Sequence, residues 1–313
     1  MPNELSSDIK SSLNNFHRTL FEHLWDIGCD IFVNETLSSH VSFRLGGKTP
    51  LFVVPSSLNG LVEAIKVLKD QEIPFRILGK GTNIIPRDGL IPFVVLSTER
   101  VDDYKIDGEK IIIGAGTSFK KLNLIALENE LSGLERSYGL PGSVGGAVYM
   151  NAGCYNWETA EVVSEVLAFD GKDIIRLSKS DLNFSYRSSI FKEHKELTIL
   201  QATFQLKSGK REFIKSEMLE TMRKRYEKQP LEYPSAGSVF KRPRQDFYVG
   251  TAIESLGLKG FKIGGAQVSE KHAGFIVNTG NAKAEDVFNL IQFIREKVKE
   301  KYNVILEIEV EIW

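Results

Sequence analysis

The run Tyr138-Gly139-Leu140-Pro141-Gly142-Ser143-Val144-Gly145-Gly146-Ala147-Val148-Tyr149-Met150-Asn151-Ala152-Gly153-Cys154-Tyr155 constrains this chain more than any other stretch. It holds five glycines and a proline, and no charged residue. Each glycine costs about 1 kcal/mol in a helix interior and is chosen where backbone must bend or approach something closely. The run is therefore expected to be neither an ordinary helix nor a strand. A solvated linker would carry Ser, Lys or Glu. Here glycine alternates with small and apolar residues, which predicts a buried bend laid against something flat and uncharged. A cofactor's aromatic ring fits that description, and so does a glycine-rich turn of the core.

The 313 residues allow about two or three domains. Lys and Arg (40) balance Asp and Glu (41), which argues against a chain built to coat nucleic acid or an anionic membrane. No apolar run reaches the ~18–20 residues of a membrane span. The opening residues carry Glu4 and Asp8 and no apolar leader segment. Cys29 and Cys154 are too few for a disulfide framework and predict a reducing cytoplasm. The five histidines show no zinc-ligand spacing, so no metal is expected.

Along the chain, Ile9, Leu13, Phe16, Leu20 and Leu24 predict an amphipathic helix over 7–25. Leu51–Val54 reads as a strand, Leu58 to Leu68 as a helix face, and Pro74–Leu78 as a second strand that runs into Gly79-Lys80-Gly81-Thr82-Asn83. A further block repeats the idea with Ile111–Ile113, Gly114-Ala115-Gly116 and a helix from Ser118 to Leu131. Strands are predicted near 162–169 and 197–206, and a charged helix from Arg211 to Lys228, with a domain boundary at Gln229-Pro230. A helix carrying Val287, Leu290, Ile291, Ile294 and Val298 precedes a closing strand over Val304–Ile312. That strand alternates, and by pattern alone Glu307, Glu309 and Glu311 read as its solvated face. Neither Gly-x-Gly is a Rossmann fingerprint, because Ile84 and Phe119 stand where the third glycine belongs. Successive amides around Gly79, Gly81, Thr82 and Asn83 remain suited to hold a pyrophosphate as a nest.

These segments, joined by Ser132-Gly133-Leu134-Glu135, Phe184-Ser185-Tyr186-Arg187-Ser188-Ser189, Gln229-Pro230-Leu231, Ala236-Gly237-Ser238-Val239-Phe240-Lys241, Gly257-Leu258-Lys259-Gly260, Gly264–Ser269, His272–Phe275 and Leu306–Val310, stand in a fixed order. In that order they resemble the UDP-N-acetylenolpyruvoylglucosamine reductase (MurB) family from about His40 to Ile312. The short gap from Arg187 to Ser238 matches the family's branch without an extra substrate-gripping loop. The resemblance implies an α+β protein: a FAD-binding fold of the vanillyl-alcohol-oxidase (PCMH) type in two subdomains (36–100 and 101–210), a substrate-binding domain (211–313) and an N-terminal extension (1–35). It implies non-covalent FAD, NADPH as co-substrate, a UDP-sugar substrate, a cytoplasmic setting in peptidoglycan precursor synthesis, and no nucleic-acid, membrane or obligatory protein partner.

The resemblance also assigns residues. Arg187 matches the cation that grips the substrate carboxylate, Ser238 the proton donor and Glu309 the catalytic glutamate. Glu309 is expected to be partly protonated, because a substrate carboxylate would face it. Gly79, Lys80, Gly81, Thr82, Asn83, Gly142, Ser143, Gly145, Gly146, Asn151 and Ala152 are expected at the FAD. Lys228, His272 and Arg242 are expected at the substrate. Two alternatives stay open at this stage: a sugar oxidase of the same fold tethering flavin through Cys154 or His40, and a non-enzymatic nucleotide-binding module.

Overall fold

The computed structural model describes residues 15–313, with side chains from Arg18 onward. Helix α1 (Asn15–Asp26) realises the second half of the predicted amphipathic helix; Ile9, Leu13 and the Phe16 side chain lie outside what is described. Leu20 and Leu24 are buried in one core with Leu61, Ile65 and Leu68. The first sheet contains β1 (Cys29–Thr36), β2 (Lys48–Pro55), β3 (Phe75–Leu78) and β5 (Val94–Ser97), in the order β1-β2-β5-β3. Between β2 and β3 runs α2 (Leu58–Asp70), capped where Ser57 accepts the Gly60 amide at 3.1 Å. β2 and β3 both lie parallel to β5, as a helical crossover requires. The short strand β4 (Ile84–Ile85) stands apart from this sheet.

The second sheet differs from the predicted repeat. Strands β6 (Tyr104–Asp107), β7 (Lys110–Gly114), β8 (Val163–Phe169), β9 (Ile174–Ser178) and β10 (Thr198–Gln205) pair in the order β9-β8-β10-β7-β6, all antiparallel. Helix α3 (Phe119–Glu128) packs on this sheet through Phe119, Leu122, Ile125 and Ala126 and bridges no parallel strands. The glycine-rich run is a second correction: Val144–Met150 forms a helix, α4. Ser143 caps it by accepting the Gly146 amide at 3.2 Å, and the Gly145 amide donates to Ala115 at 2.8 Å. The glycines sit in its first turn, where a side chain at Gly145 would crowd Ala115 and one at Gly146 would crowd the capping Ser143 hydroxyl. Tertiary contact thus outweighs their poor helix propensity.

The third unit follows α5 (Arg211–Lys228), whose Ile214 and Met218 are buried. Strands β11 (Ser235–Ser238), β12 (Lys262–Ile263), β13 (Ala266–Val268) and β14 (Phe275–Asn278) form an antiparallel sheet in the order β11-β14-β13-β12. The helices α6 (Val249–Ser255) and α7 (Ala284–Tyr302) cover it, and the predicted face Val287, Leu290, Ile291, Ile294 and Val298 is wholly buried.

The closing segment is not one continuous strand. Ile308 makes a single bridge to Phe240, and only β15 (Glu311–Ile312) is regular, pairing in parallel with β4. The chain is leaving the third sheet for the first unit and changes partners on the way. Trp313 completes the crossing, buried with Leu37, Phe52, Leu78 and Val95, its ring 5.6 Å from Phe93. Among the described residues no helix is long and apolar enough to cross a membrane.

Candidate active site

The two glycine loops meet. A methyl group at Gly79 would overlap the Ser143 hydroxyl, and one at Gly81, whose φ is +60°, would overlap the His40 carbonyl. Only glycine allows this approach without strain. The amides of Lys80, Gly81, Thr82 and Asn83 donate to no acceptor among the described residues, leaving successive N–H groups free for an anion. Beside them opens a cleft lined by Ser39, His40, Gly79, Lys80, Ser97 and Glu99. Under the 142–145 turn, Val144 donates its amide to the Thr117 carbonyl at 2.8 Å. The Thr117 hydroxyl itself is buried with no hydrogen-bond partner. An orphaned buried hydroxyl costs about 1–3 kcal/mol, so a polar ligand atom arriving there is favoured.

Arg187 and Glu309 are brought together from distant segments. Arg187 occupies a tight turn closed by reciprocal Ser185 and Ser188 backbone bonds, with φ +57°, an uncommon conformation for a non-glycine residue. Its Nε donates to Glu309 Oε1 at 2.8 Å and its Nη2 to the Gly153 carbonyl at 3.0 Å. Both side chains are largely buried, 18% and 13% exposed. Glu309 is thus no solvated residue, whereas Glu307 is 74% exposed. Burial pushes the Glu309 carboxyl above its ordinary range, opposed by Arg187 and more weakly by Lys192 and Lys241. The expected direction stands on desolvation alone, with no second carboxylate needed.

Ser238 ends β11 opposite Phe275, and the next residue, Val239, accepts the Glu309 amide at 2.7 Å. One backbone bond therefore sets Ser238's segment beside Glu309. Lys241, a neighbour that could acidify Ser238, is instead 3.3 Å from Glu307 Oε2. Lys192 joins the cluster: burial lowers its ammonium's pKa, while Glu311 and Glu309 pull the other way. Tyr149 donates to Glu311, and burial holds its phenol well above the usual range.

Comparison with known proteins bears on what this arrangement is. A model described as UDP-N-acetylenolpyruvoylglucosamine reductase, C-terminal domain, matches residues 229–313, and an FAD binding domain model matches residues 49–175. The chain is 67% identical over 299 residues to UDP-N-acetylenolpyruvoylglucosamine reductase of Fervidobacterium nodosum, spanning 96% of this chain and 97% of that one. This chain belongs to the UDP-N-acetylenolpyruvoylglucosamine reductase family. The Thermotoga maritima reductase is 54% identical, over 89% of this chain and 97% of its own. The crystal structure of the reductase (MurB) from Thermus caldophilus superposes with a TM-score of 0.76 at 32% identity, covering 91% of this chain and 98% of that one. The fold is α+β, with an FAD-binding part of the PCMH type and the reductase C-terminal domain.

As a reductase of this family, the chain is an FAD-binding oxidoreductase, and its residues fit that cofactor. The free amides of 80–83 and the orphaned Thr117 hydroxyl belong to the two glycine loops and the segment bonded beneath the second. Two predicted contacts have other work. Asn151, buried with φ +43°, spends its amide on Glu158, Ser185 and Ala160, so it steadies the turn that carries Arg187. Asn83 Nδ2 donates to Met150 Sδ at 2.8 Å and to the Glu309 carbonyl at 3.1 Å, tying the two halves of the site together. Gly142 and Ala152 flank α4 on either side.

Two of the three substrate candidates border this cluster, Arg242 through Tyr186 and His272 through Phe275, the residue opposite Ser238. Lys228 is exposed at the end of α5. Arg242 is exposed, stacks 4.6 Å from the Tyr248 ring and gives its amide to the Tyr186 hydroxyl at 3.1 Å. His272 accepts the Gly274 amide at 3.1 Å and packs edge-on against Phe275; burial lowers its pKa and favours the neutral ring. Of the possible flavin tethers, His40 is paired with Glu35 at 2.8 Å and Cys154 takes a bond from Arg225 at 2.8 Å. Sequence reasoning missed Thr117, Lys192 and Arg225. Arg225 was hidden in a basic run whose neighbours Arg223 and Lys224 do pair on the surface with Glu220.

Proposed function

We propose that the chain reduces the enolpyruvyl ether of UDP-N-acetyl-3-O-(1-carboxyvinyl)glucosamine to UDP-N-acetylmuramate, with NADPH as electron donor. The observation that carries this reading is the buried Arg187–Glu309 contact at 2.8 Å, with Ser238's segment bonded alongside. FAD, when bound, supplies the two-electron relay between the nicotinamide and the enolpyruvyl group. As negative charge builds beside the substrate carboxylate, Arg187 holds it. Its Nη1 donates to no acceptor among the described residues and is free for an incoming carboxylate oxygen. Glu309 orients that guanidinium, and burial, by raising its carboxyl's pKa, favours the neutral form that adds no second negative charge. Ser238 gives the proton to the carbon next to the carboxylate.

In this reading 36–100 and 101–210 hold the cofactor and 211–313 closes on the substrate, with Lys228 toward the UDP part and Arg242 and His272 also toward the substrate. The reaction is set in the cytoplasm, with small molecules as its only required partners. The test is anaerobic. NADPH should bleach the bound flavin, and the enolpyruvyl sugar nucleotide should restore its colour without oxygen. Flavin that NADPH leaves yellow, or that the sugar nucleotide leaves bleached, overturns the assignment.

A further inference from the structure

Arg225 is a guanidinium only 2% exposed, on the inner face of α5. No carboxylate among the described residues pairs with it. Its acceptors are neutral: the Tyr138 carbonyl at 3.0 Å, Cys154 Sγ at 2.8 Å and Gln229 Oε1 at 3.4 Å. Its planar face lies 5.3 Å from the Tyr155 ring. Burying a charge against neutral partners is costly, and an apolar residue continuing the buried stripe of Ile214 and Met218 would fill the space at lower cost. The charge is better explained by what it holds.

What it holds are the two ends of the glycine-rich run, Tyr138 at one and Cys154-Tyr155 at the other. The peptide between Gly153 and Cys154 has two tethers. Its Cys154 side takes Arg225 Nη2 on Sγ, and its Gly153 carbonyl accepts Arg187 Nη2 at 3.0 Å. Rotating this one peptide plane moves the acceptor that orients Arg187. We propose that Arg225 is a positioning residue for the reduction, acting through the Gly153–Cys154 peptide to hold Arg187 on Glu309. The inference rests on the roles given above to Arg187 and Glu309. Burial keeps the Cys154 thiol protonated, so it accepts from Arg225 while donating to the Arg136 carbonyl at 3.3 Å. Arg225 uses Nε and Nη2 at once, on acceptors from opposite ends of the run. An ammonium is a point charge without that fork and cannot reproduce it.

The experiment compares the flavin-loaded parent with Arg225→Lys, Cys154→Ala, Cys154→Ser and Arg187→Lys. Steady-state kinetics are run across pH, with flavin content and Tm measured on each. Arg225→Lys is expected to lower kcat per bound flavin about tenfold or more, as small displacements of catalytic groups do, with KM for the sugar nucleotide within about twofold. The pH limb governed by Glu309 should move to higher pH, because a loosened Arg187 opposes its protonation less. Cys154→Ala should move both in the same direction by a smaller factor, and Cys154→Ser, which keeps an acceptor, should restore them. Parent-like kcat and pH limb in Arg225→Lys overturn the proposal. So does a drop confined to Tm or flavin content, which marks a merely structural arginine. If Arg225→Lys does not fold, the Cys154 pair decides: alanine and serine behaving alike overturns it. Arg187→Lys separates the two readings. A parent-like rate there sinks the role of Arg187 itself, whereas a slow Arg187→Lys beside an unaffected Arg225→Lys sinks only the positioning role.

Discussion

Replacing Glu309 by glutamine separates what its carboxyl contributes to chemistry from what it costs the fold. At 2.8 Å from Arg187, with an effective dielectric near 20, the ionic attraction is about 6 kcal/mol. Burial nevertheless lifts the carboxyl above its ordinary pKa of 4.5, so the loss of water outweighs that attraction. A group whose folded pKa is raised supports the fold below its unfolded pKa, and that support is lost as pH rises through the folded value. Over that window the unfolded chain has released a proton that the native protein still holds. Stability then falls by about 1.4 kcal/mol per pH unit. Glutamine keeps an oxygen for Arg187 Nε and cannot ionise. The Tm of Glu309→Gln relative to the parent should therefore climb as pH rises from the ordinary value of 4.5 through the raised folded value, and level off above it, in thermal unfolding of the flavin-loaded proteins. In the same variant the pH limb assigned to Glu309 should vanish, because glutamine cannot ionise. A variant that loses Tm against the parent as pH rises would show that the ionised carboxylate stabilises the fold, and the reasoning from burial would be wrong.

Other consequences follow from particular contacts. Ser238→Ala should let NADPH bleach the flavin at the parent rate, while recolouring by the enolpyruvyl substrate slows at least about 10²-fold in stopped flow; equal slowing of both halves removes Ser238 from the second one. Gly79→Ala drives a methyl into the Ser143 hydroxyl and should cost about 1–3 kcal/mol in denaturant unfolding. Adding Ser143→Ala should recover part of that loss, and an undiminished penalty would mean the two loops do not meet there. Thr117→Val removes an orphaned hydroxyl and should leave the flavin-free protein at least as stable, while flavin titration shows about tenfold weaker binding; unchanged flavin affinity would place that hydroxyl away from the cofactor.

Much of the architecture could be read from residue pattern. The apolar faces of α2 and α7 repeat at helical spacing and are buried as that spacing demands. The two glycine loops were visible because their function requires missing side chains, and absence of a side chain is written in the sequence. The errors share a cause. Glycine propensity argued against a helix at Val144–Met150, yet close packing on Ala115 and a serine cap make one. Alternation argued for a strand with solvated glutamates over Val304–Ile312. There the chain passes from one unit to another, and Glu309 turns inward while Glu307 stays wet. Arg223, Lys224 and Arg225 are alike in composition, and only the last is buried.

The sequence by itself determined the class of chemistry. Its ordered motifs resemble a flavin reductase family, and its glycines, arginine, serine and glutamate are the residue types such a reduction needs. Only the tertiary structure decided which of its charges work in the absence of water. Whether a carboxyl or a guanidinium keeps its hydration depends on segments more than a hundred residues away, as with Arg187 and Glu309 at a separation of 122. Local pattern carries no information about that distance.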